Sequence, residues 1–192
     1  FDSLLIPYHY PMIVPPQPWA GIEDGGYLNQ AQHNLSLVKV HSKHRRKLAT
    51  TDMSDVIDAV NSIQSTPWRI NLDVLEVFRA LHEKGDGMAK LAASTQPPIP
   101  EKPWGELSDE DWAAWKQDEG NKETLKTWKR AASDAYAEQG SWSSKRLVQQ
   151  QQLKLADRFA DEPVMYFPHS LDFRGRIYPA AGLGAINPQG ND

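Results

Sequence analysis

Prolines restrict this sequence more than any other residue type. Five of them fall at positions 7, 11, 15, 16 and 18, and glycines follow at positions 21, 25 and 26. A proline in a helix interior removes a backbone hydrogen bond and clashes with the preceding turn, so this density excludes a long helix. Residues 1–30 are therefore predicted to form an extended, turn-rich segment.

A short strand and then a series of helices are predicted after this segment. Residues 35–40 alternate apolar and polar side chains, which is typical of a strand, and a basic run follows directly. From residue 54 onward, apolar side chains recur at helical spacing. The stripes are Val56, Ile57, Val60 and Ile63; Leu72, Leu75, Phe78 and Leu81; Leu125, Trp128, Ala132 and Tyr136; and Leu147, Val148, Gln151, Leu155 and Phe159.

The boundaries of these helices are predicted from capping and breaking residues. Asn71 and Ser108 suit helix N-caps, and Gly140 is expected to end the third helix. The proline-rich residues 96–103 are interpreted as a linker. Short apolar runs at residues 164–167 and 177–178 predict strands.

Composition limits the class of protein. Hydrophobic residues make up 40% and charged residues 24%, which is the balance of a soluble folded protein. No apolar run reaches the roughly 18 residues of a membrane span. Cysteine is absent, which excludes disulfides, thiolate metal sites and thiol nucleophiles. We therefore expect a cytoplasmic protein with no membrane partner.

Basic side chains are clustered although the net charge is -4. The total argues against a dedicated nucleic-acid-binding domain. The clusters are Lys39, Lys43, Arg45, Arg46 and Lys47; Lys145 and Arg146; and Arg174 and Arg176. Their distribution matters more for function than the sum of the charges.

The most informative motif is Asp-Phe-Arg-Gly-Arg-Ile-Tyr-Pro at residues 172–179. Arg174 and Arg176 flank Gly175, so two planar guanidinium groups and a bare backbone amide can approach a phosphate closely. Asp172 is placed to orient one arginine. Taken alone, the motif also fits a solvated turn with an Asp/Arg pair.

Four ordered segments together resemble the bacteriophage-type single-subunit DNA-dependent RNA polymerases. Met-Tyr-Phe-Pro-His-Ser-Leu at residues 165–171, the arginine motif, and Asn-Pro-Gln-Gly-Asn-Asp at residues 187–192 resemble the start of that family's palm, with its D-x-x-G-R signature. Phe173 stands where the phage proteins often have Trp, and the loop at residues 180–186 is slightly expanded. The other segments are residues 14–27 with the basic residues 38–43, similar to the end of the N-terminal domain, and residues 66–75 and 128–132, similar to the thumb region. Residues 83–123 have no such counterpart.

The resemblance implies a mainly α fold with a small irregular α+β N-terminal lobe and a short β segment at the C-terminus. This would be an incomplete portion of the right-hand polymerase fold. Residues 1–53 are expected to be the end of the polymerase N-terminal domain, residues 54–163 a thumb-like helical region, and residues 164–192 the start of the palm. Because the chain starts with Phe1 and ends in turn-like residues, we expect a fragment or a processed chain.

The resemblance also implies roles for individual residues. Arg174 and Arg176 would contact nucleic acid beside the active centre, with Asp172 and Gly175 supporting their geometry. Tyr178 either takes part in this site or is a buried strand tyrosine. The remaining predicted nucleic-acid-binding residues are Lys145 and Arg146, gripping the RNA–DNA hybrid, and Lys39, Lys43, Arg45 and Arg46, neutralising phosphates if their run is not simply a solvated loop.

Catalytic residues are not expected in this chain. Nucleotidyl transfer needs aspartates that hold Mg²⁺, and in the family these lie beyond the palm-entry motif. The histidines show no metal-ligand spacing, and most tryptophans are interpreted as core or interface anchors. The chain alone is therefore predicted to be inactive. Mg²⁺ would bind the complete enzyme outside this chain.

The predicted partners are the DNA template, the RNA transcript, their hybrid, and the remaining palm and fingers polypeptide. The alternative is a non-catalytic subunit of a naturally split phage RNA polymerase that docks on a catalytic partner chain. A free-standing small enzyme is disfavoured because the sequence contains no paired nucleophile and base.

Overall fold

The computed structural model describes residues 9–29, 35–48, 50–180 and 186. The chain forms two compact units. The first unit comprises Phe1–Phe78 and Gln150–Asp192, and the second comprises Arg79–Gln149. The segments 1–53, 54–163 and 164–192 stay predictions.

The described residues contain five α-helices and three short strands. In chain order the elements are β1 (Val38–Lys39), α1 (Ser42–Leu48), α2 (Ser54–Gln64), α3 (Leu72–Lys84), α4 (Asp109–Gln117), α5 (Lys122–Arg158), β2 (His169–Asp172) and β3 (Ile177–Pro179). Single 3-10 turns occupy Met88–Lys90 and Glu119–Asn121. The predicted mainly helical character with a small sheet is confirmed.

The three strands form one sheet in the order β1-β2-β3. β1 is parallel to β2, with Val38 opposite Leu171 and Lys39 opposite Asp172. β3 is antiparallel to β2. The prediction of a strand at residues 164–167 is wrong: Met165 and Tyr166 form only isolated bridges, and the strand begins at His169. Pro168, which lacks a backbone N–H, separates the two.

The first unit is built around two apolar clusters. One contains Trp19, Leu37, Val38, Val60 and Leu171, and the other contains Leu155, Phe159, Met165 and Phe167. The α2 stripe predicted from sequence supplies Val60, which is fully buried. In α3 only Leu75 is buried, and Leu72 is 55% exposed. The apolar stripe predicted for this helix is therefore only partly buried.

Polar side chains of α2 hold the N-terminal segment and β2 in place. Trp19 N–H donates to Asn61 Oδ1 (2.7 Å), and Asn61 Nδ2 donates back to the Trp19 carbonyl (2.9 Å). Trp19 Nε1 donates to the His169 carbonyl (3.1 Å), so one buried indole connects the proline-rich segment to β2. Buried polar groups require such partners, because an unpaired one costs ~1–3 kcal/mol.

Two sequence predictions about helix ends are confirmed and one is wrong. Asn71 Oδ1 accepts from Val74 N–H at the start of α3, and Ser108 Oγ accepts from Asp111 N–H at the start of α4. Gly140 does not end a helix, since α5 runs through it without interruption. A glycine inside a helix costs only ~1 kcal/mol, which the neighbouring helix-forming residues offset.

The proline-rich stretch of the second unit is not a free linker. Side chains of α5 donate to its carbonyl groups: Trp128 Nε1 to Pro100 (3.2 Å) and Gln139 Nε2 to Pro97 (2.6 Å). Just before the stretch, the Ala93 carbonyl accepts from Trp142 Nε1 (2.8 Å). Prolines cannot use a backbone N–H to join a ladder, so their carbonyls remain available as acceptors. The interpretation of residues 96–103 as a linker is therefore wrong.

Four half-buried tryptophans form a small aromatic cluster in the second unit. Trp104 lies 4.6 Å, 4.9 Å and 4.8 Å from Trp112, Trp115 and Trp128, measured between ring centroids. Stacked and edge-to-face pairs at these distances add stabilisation to the buried area. These rings act as anchors between α4, α5 and the preceding loop.

Candidate nucleic-acid interface

The arginine motif forms the turn between β2 and β3. Asp172 organises it: one carboxylate oxygen, Oδ1, accepts from the backbone N–H groups of Arg174 (2.8 Å) and Arg176 (3.0 Å). The other, Oδ2, accepts from Arg176 Nε (2.7 Å) and Nη2 (2.6 Å). We call residues 172–176 the arginine turn.

The protonation states in the arginine turn follow from these contacts. Desolvation acts to raise the pKa of Asp172, but hydrogen bonds from Arg176 and Arg174 and the charge of Arg176 outweigh it and lower the pKa below its usual value. The hydrogen bond to Asp172 and its negative charge raise the pKa of Arg176. Both groups are therefore fully charged at neutral pH.

The backbone of the turn requires the glycine. Gly175 has φ of 80°, in the left-handed region that side chains with a Cβ avoid, and its N–H donates to the Asp172 carbonyl (3.0 Å). No atom lies within 4 Å of a Cβ built on Gly175. The left-handed backbone conformation, and not the lack of space, therefore explains the glycine.

The two arginines of the turn are in different environments. Arg176 is committed to Asp172 and also lies over the Tyr178 ring, 5.5 Å from its centroid. Arg174 lies over the ring of Phe173, 5.1 Å from its centroid, and Phe173 is 71% exposed. Tyr178 is 37% exposed, so it is not a buried strand tyrosine. Arg174 and Phe173 therefore present an aromatic ring and a cation to solvent at the tip of the turn.

The sheet brings the first basic cluster next to this turn. Lys39 lies opposite Asp172 in the β1–β2 register, and α1 follows three residues later. The basic run is thus a helix and not the flexible loop considered from sequence. Its residues 44, 45 and 48 recur at the spacing of one helix face.

A groove of about 1110 Å³ lies beside β1 and α1 and includes Phe173 in its wall. Lys39, Arg45 and Lys47 line it together with His41 and His44. The described residues that line it include no aspartate or glutamate. We call this cavity the basic groove.

The basic groove contains only part of the predicted phosphate-binding set. Lys39 and Arg45 line it, whereas Lys43 and Arg46 of the same helix are exposed and do not. Arg45 also pairs with Glu23 (3.2 Å) at the surface, a contact that contributes little. Lys47 and Phe173 are lining residues missing from the predicted set. The helical spacing of the basic run could have indicated Lys47 only if the run had first been identified as a helix.

The predicted thumb residues belong to the second unit. Lys145 is exposed on α5. Arg146 Nη1 donates to the Ala93 carbonyl (3.3 Å), and its guanidinium lies 5.9 Å from the centroid of the Trp142 ring. The Arg146 side chain is therefore held by contacts within the protein, whereas the Lys145 side chain is exposed on the helix surface.

Metal-binding clusters and membrane-spanning helices are absent from the described ranges. Within them, no group of three or more His, Asp or Glu side chains could hold a metal ion. The same part of the chain contains no helix that is both long and apolar enough to cross a membrane. The predicted motif at residues 187–192, and all but Ala180 and Ile186 of the expanded loop, lie outside the described residues.

Comparison with known proteins identifies the class. Residues 1–65 match the family model described as DNA-directed RNA polymerase N-terminal. The chain is 35% identical over 188 residues to T7 RNA polymerase of Escherichia phage T7, which covers 97% of this chain and 20% of that protein. It is 34% identical to the DNA-directed RNA polymerase of Enterobacteria phage T3, with the same coverage.

Plant organellar enzymes match as well. DNA-directed RNA polymerase 3, chloroplastic, of Nicotiana sylvestris is 31% identical over 182 residues, which is 92% of this chain and 17% of that protein. The chain thus spans about a fifth of the length of the relatives that it matches. The resemblance drawn from the sequence is confirmed: over most of its length the chain is similar to phage-type single-subunit RNA polymerases, and residues 1–65 match the family's N-terminal model.

Proposed function

We propose that this chain is the nucleic-acid-positioning part of a DNA-directed RNA polymerase. Nucleotidyl transfer would be completed by palm and fingers segments outside the chain, where Mg²⁺ would also bind. Residues 1–53, 54–163 and 164–192 would be the end of the N-terminal domain, a thumb-like region and the start of the palm in a right-hand polymerase fold. The partners would be the DNA template, the RNA transcript and their hybrid, in the cytoplasm.

The convergence of two basic segments carries this proposal. Lys39 and Arg45, from one end of the chain, line the basic groove, and the arginine turn, from the other end, contributes Phe173 to its lining. Lys39 lies opposite Asp172 of that turn in the sheet. Arg174 and Arg176 would contact the nucleic-acid backbone, because a planar guanidinium binds phosphate through paired hydrogen bonds. Asp172 would hold Arg176 in place. Tyr178 would support the same guanidinium through its ring.

The thumb-like region would add a separate grip on the hybrid. Lys145 is the stronger candidate because it is exposed, while Arg146 also holds the Ala93 loop. No described group of side chains suits Mg²⁺, so no step is assigned to a metal within this chain. A separate subunit of a split polymerase remains the alternative, but neither the described contacts nor the relatives favour it.

The proposal is tested in the complete polymerase that contains this chain. We expect Arg174→Gln to shorten the lifetime of elongation complexes and to lower the salt dependence of that lifetime by about 0.9 in log–log slope, the contribution of one phosphate contact. Lys102→Gln, at an exposed lysine of the second unit, is the matched control. Unchanged lifetime and slope for Arg174→Gln would contradict the proposal.

A further inference from the structure

A second cavity, formed entirely by residues of the first unit, is lined mainly by apolar side chains. Val74, Leu75 and Phe78 of α3 form one side of it, and Leu153 and Ala156 of α5 form another. Its volume of about 470 Å³ falls within the ~300–1,000 Å³ of small-molecule sites. We call this cavity the apolar groove. Among the described residues, none lines both this groove and the basic groove, so the two are separate.

Aromatic side chains in the apolar groove favour a flat ligand. The rings of Trp68 and Phe167 both line the groove and pack edge to face, with their centroids 6.5 Å apart. Backbone hydrogen bonds between Trp68 and Met165 (2.9 Å and 2.7 Å) hold this wall in place, yet Trp68 is 41% exposed. An aromatic ligand that covers Trp68 therefore gains ring contacts in addition to burial, and the Met165 side chain lines the same groove with a sulfur that packs well on rings.

The polar side chains of the apolar groove favour a carboxylate. Arg69 and Gln152 line it, and no aspartate or glutamate does so in the described part of the chain. The carboxylates of Asp73, Asp161 and Glu162 line a separate polar cleft with Arg69. Even so, the exposed Arg69 guanidinium forms no ion pair or hydrogen bond with any described residue. A planar guanidinium binds a carboxylate through two parallel hydrogen bonds, so Arg69 is suited to a ligand of that charge.

We propose that the apolar groove binds a small aromatic carboxylate, with its ring against Trp68 and its carboxylate on Arg69. This site goes beyond the proposed function, because its ligand is not a nucleic acid. Met165 and Phe167 belong to the buried core of the first unit, so their side of the groove is formed before a ligand arrives. Binding therefore requires little ordering of the protein, which favours affinity for a small molecule.

The test uses the 192-residue chain and naphthalene-2-carboxylate as the probe. Naphthalene-2-carboxamide is its neutral counterpart, and decanoate is a carboxylate without a ring. Calorimetry measures the three affinities, and the indole N–H signal of Trp68 in the NMR spectrum, assigned by its loss in Trp68→Phe, reports where the probe binds. We expect naphthalene-2-carboxylate to shift this signal and to bind more tightly than either of the other two compounds.

Variants separate the charge from the ring. Arg69→Gln is expected to lower the affinity for naphthalene-2-carboxylate roughly 10- to 100-fold, the effect of one charge-assisted contact, and to leave the affinity for the carboxamide unchanged. Arg46→Gln is the matched control, because Arg46 is an exposed arginine of the same unit that does not line the groove. Trp68→Leu should weaken binding of both naphthalene compounds and leave that of decanoate unchanged.

Thermal unfolding of Arg69→Gln should match that of the original chain, since the side chain is exposed and unpaired among the described residues. Equal affinity for the carboxamide, or an unchanged affinity in Arg69→Gln, would overturn recognition of the carboxylate. Decanoate that binds as tightly as the probe would overturn the preference for an aromatic ring. Failure of naphthalene-2-carboxylate to bind or to shift the Trp68 signal would remove the site and leave the proposed function untouched.

Discussion

At the scale of single residues, Asp172 has more influence on the site than either arginine. Its two oxygens fix the backbone of residues 174 and 176 and the side chain of Arg176. The Asp/Arg pair that the motif suggested is therefore present, but it involves only one of the two arginines. Sequence spacing could not show which arginine, because that depends on the hairpin path.

The different environments of the two arginines lead to different outcomes for the same substitution. Arg176→Lys should loosen the arginine turn, because an ammonium cannot replace the two contacts of Nε and Nη2 with Asp172. Arg174→Lys should leave the turn intact. Amide hydrogen exchange at residues 174 and 176 measures this. Faster exchange in Arg174→Lys, or an unchanged exchange rate in Arg176→Lys, would contradict the conclusion that Arg176 alone holds the turn.

His169 is expected to make the stability of the first unit depend on pH. It is buried, and Nδ1–H donates to the Phe167 carbonyl (2.7 Å). Desolvation lowers the pKa of His169 below its usual value, and the hydrogen bond only partly opposes this. Because the unfolded chain takes up a proton more readily, the stabilisation is complete above ~pH 6.5 and is lost as pH falls through the lower folded pKa.

We therefore expect the free energy of unfolding to decrease as the pH is lowered from ~7 to ~5. Denaturant titrations at a series of pH values measure this. His169→Asn, which keeps a donor for the Phe167 carbonyl, should reduce the slope in that interval. An identical slope in the variant would mean that other groups cause the dependence.

At the scale of elements, α5 shows how context decides what a glycine does. Gly140 is exposed within the continuous helix, and no atom lies within 4 Å of a Cβ built on it. The sequence predicted a break there because glycine is a poor helix former. The structure retains the helix because side chains on both sides of Gly140 bind the preceding loop: Gln139 donates to the Pro97 carbonyl and Trp142 to the Ala93 carbonyl.

Gly140→Ala is expected to stabilise the protein by ~0.5–1 kcal/mol, the difference in helix propensity between the two residues. Thermal or denaturant unfolding measures the change. Gly25→Ala serves as the contrasting variant, since its Cβ would lie 2.4 Å from the Trp19 ring and should destabilise the core. A destabilised Gly140→Ala variant would mean that α5 is bent or interrupted at this position in solution.

Features that depend on neighbouring residues were predictable from the sequence, and features that depend on distant segments were not. Helix caps depend on residues three positions apart, so Asn71 and Ser108 were identified correctly. The basic helix α1, the strand register and the basic groove depend on contacts between segments far apart in sequence. The spacing of residues within one segment does not determine its contacts with a distant segment. The placement of Lys39 beside Asp172 therefore could not be predicted from the sequence.

At the scale of the whole molecule, the chain spans about a fifth of its polymerase relatives. We expect the purified 192-residue chain to show no template-dependent RNA synthesis. The reason is that a two-metal nucleotidyl transfer site requires carboxylates in a fixed cluster, and the described residues provide none. Primer extension on a defined hybrid measures this, and a complete polymerase under the same conditions is the positive control. Synthesis by the chain alone would overturn the functional assignment.

The parallel pairing of β1 with β2 sets an order of events during synthesis on the ribosome. Trp19 and His169, which meet in the core, are 150 residues apart, so roughly 8 to 30 s separate their emergence at ~5–20 residues per second. During that interval the cations of α1 are already exposed, whereas the strand and ring that complete the groove have not been made. A nascent chain therefore exposes the cations of α1 before the groove that they line is complete.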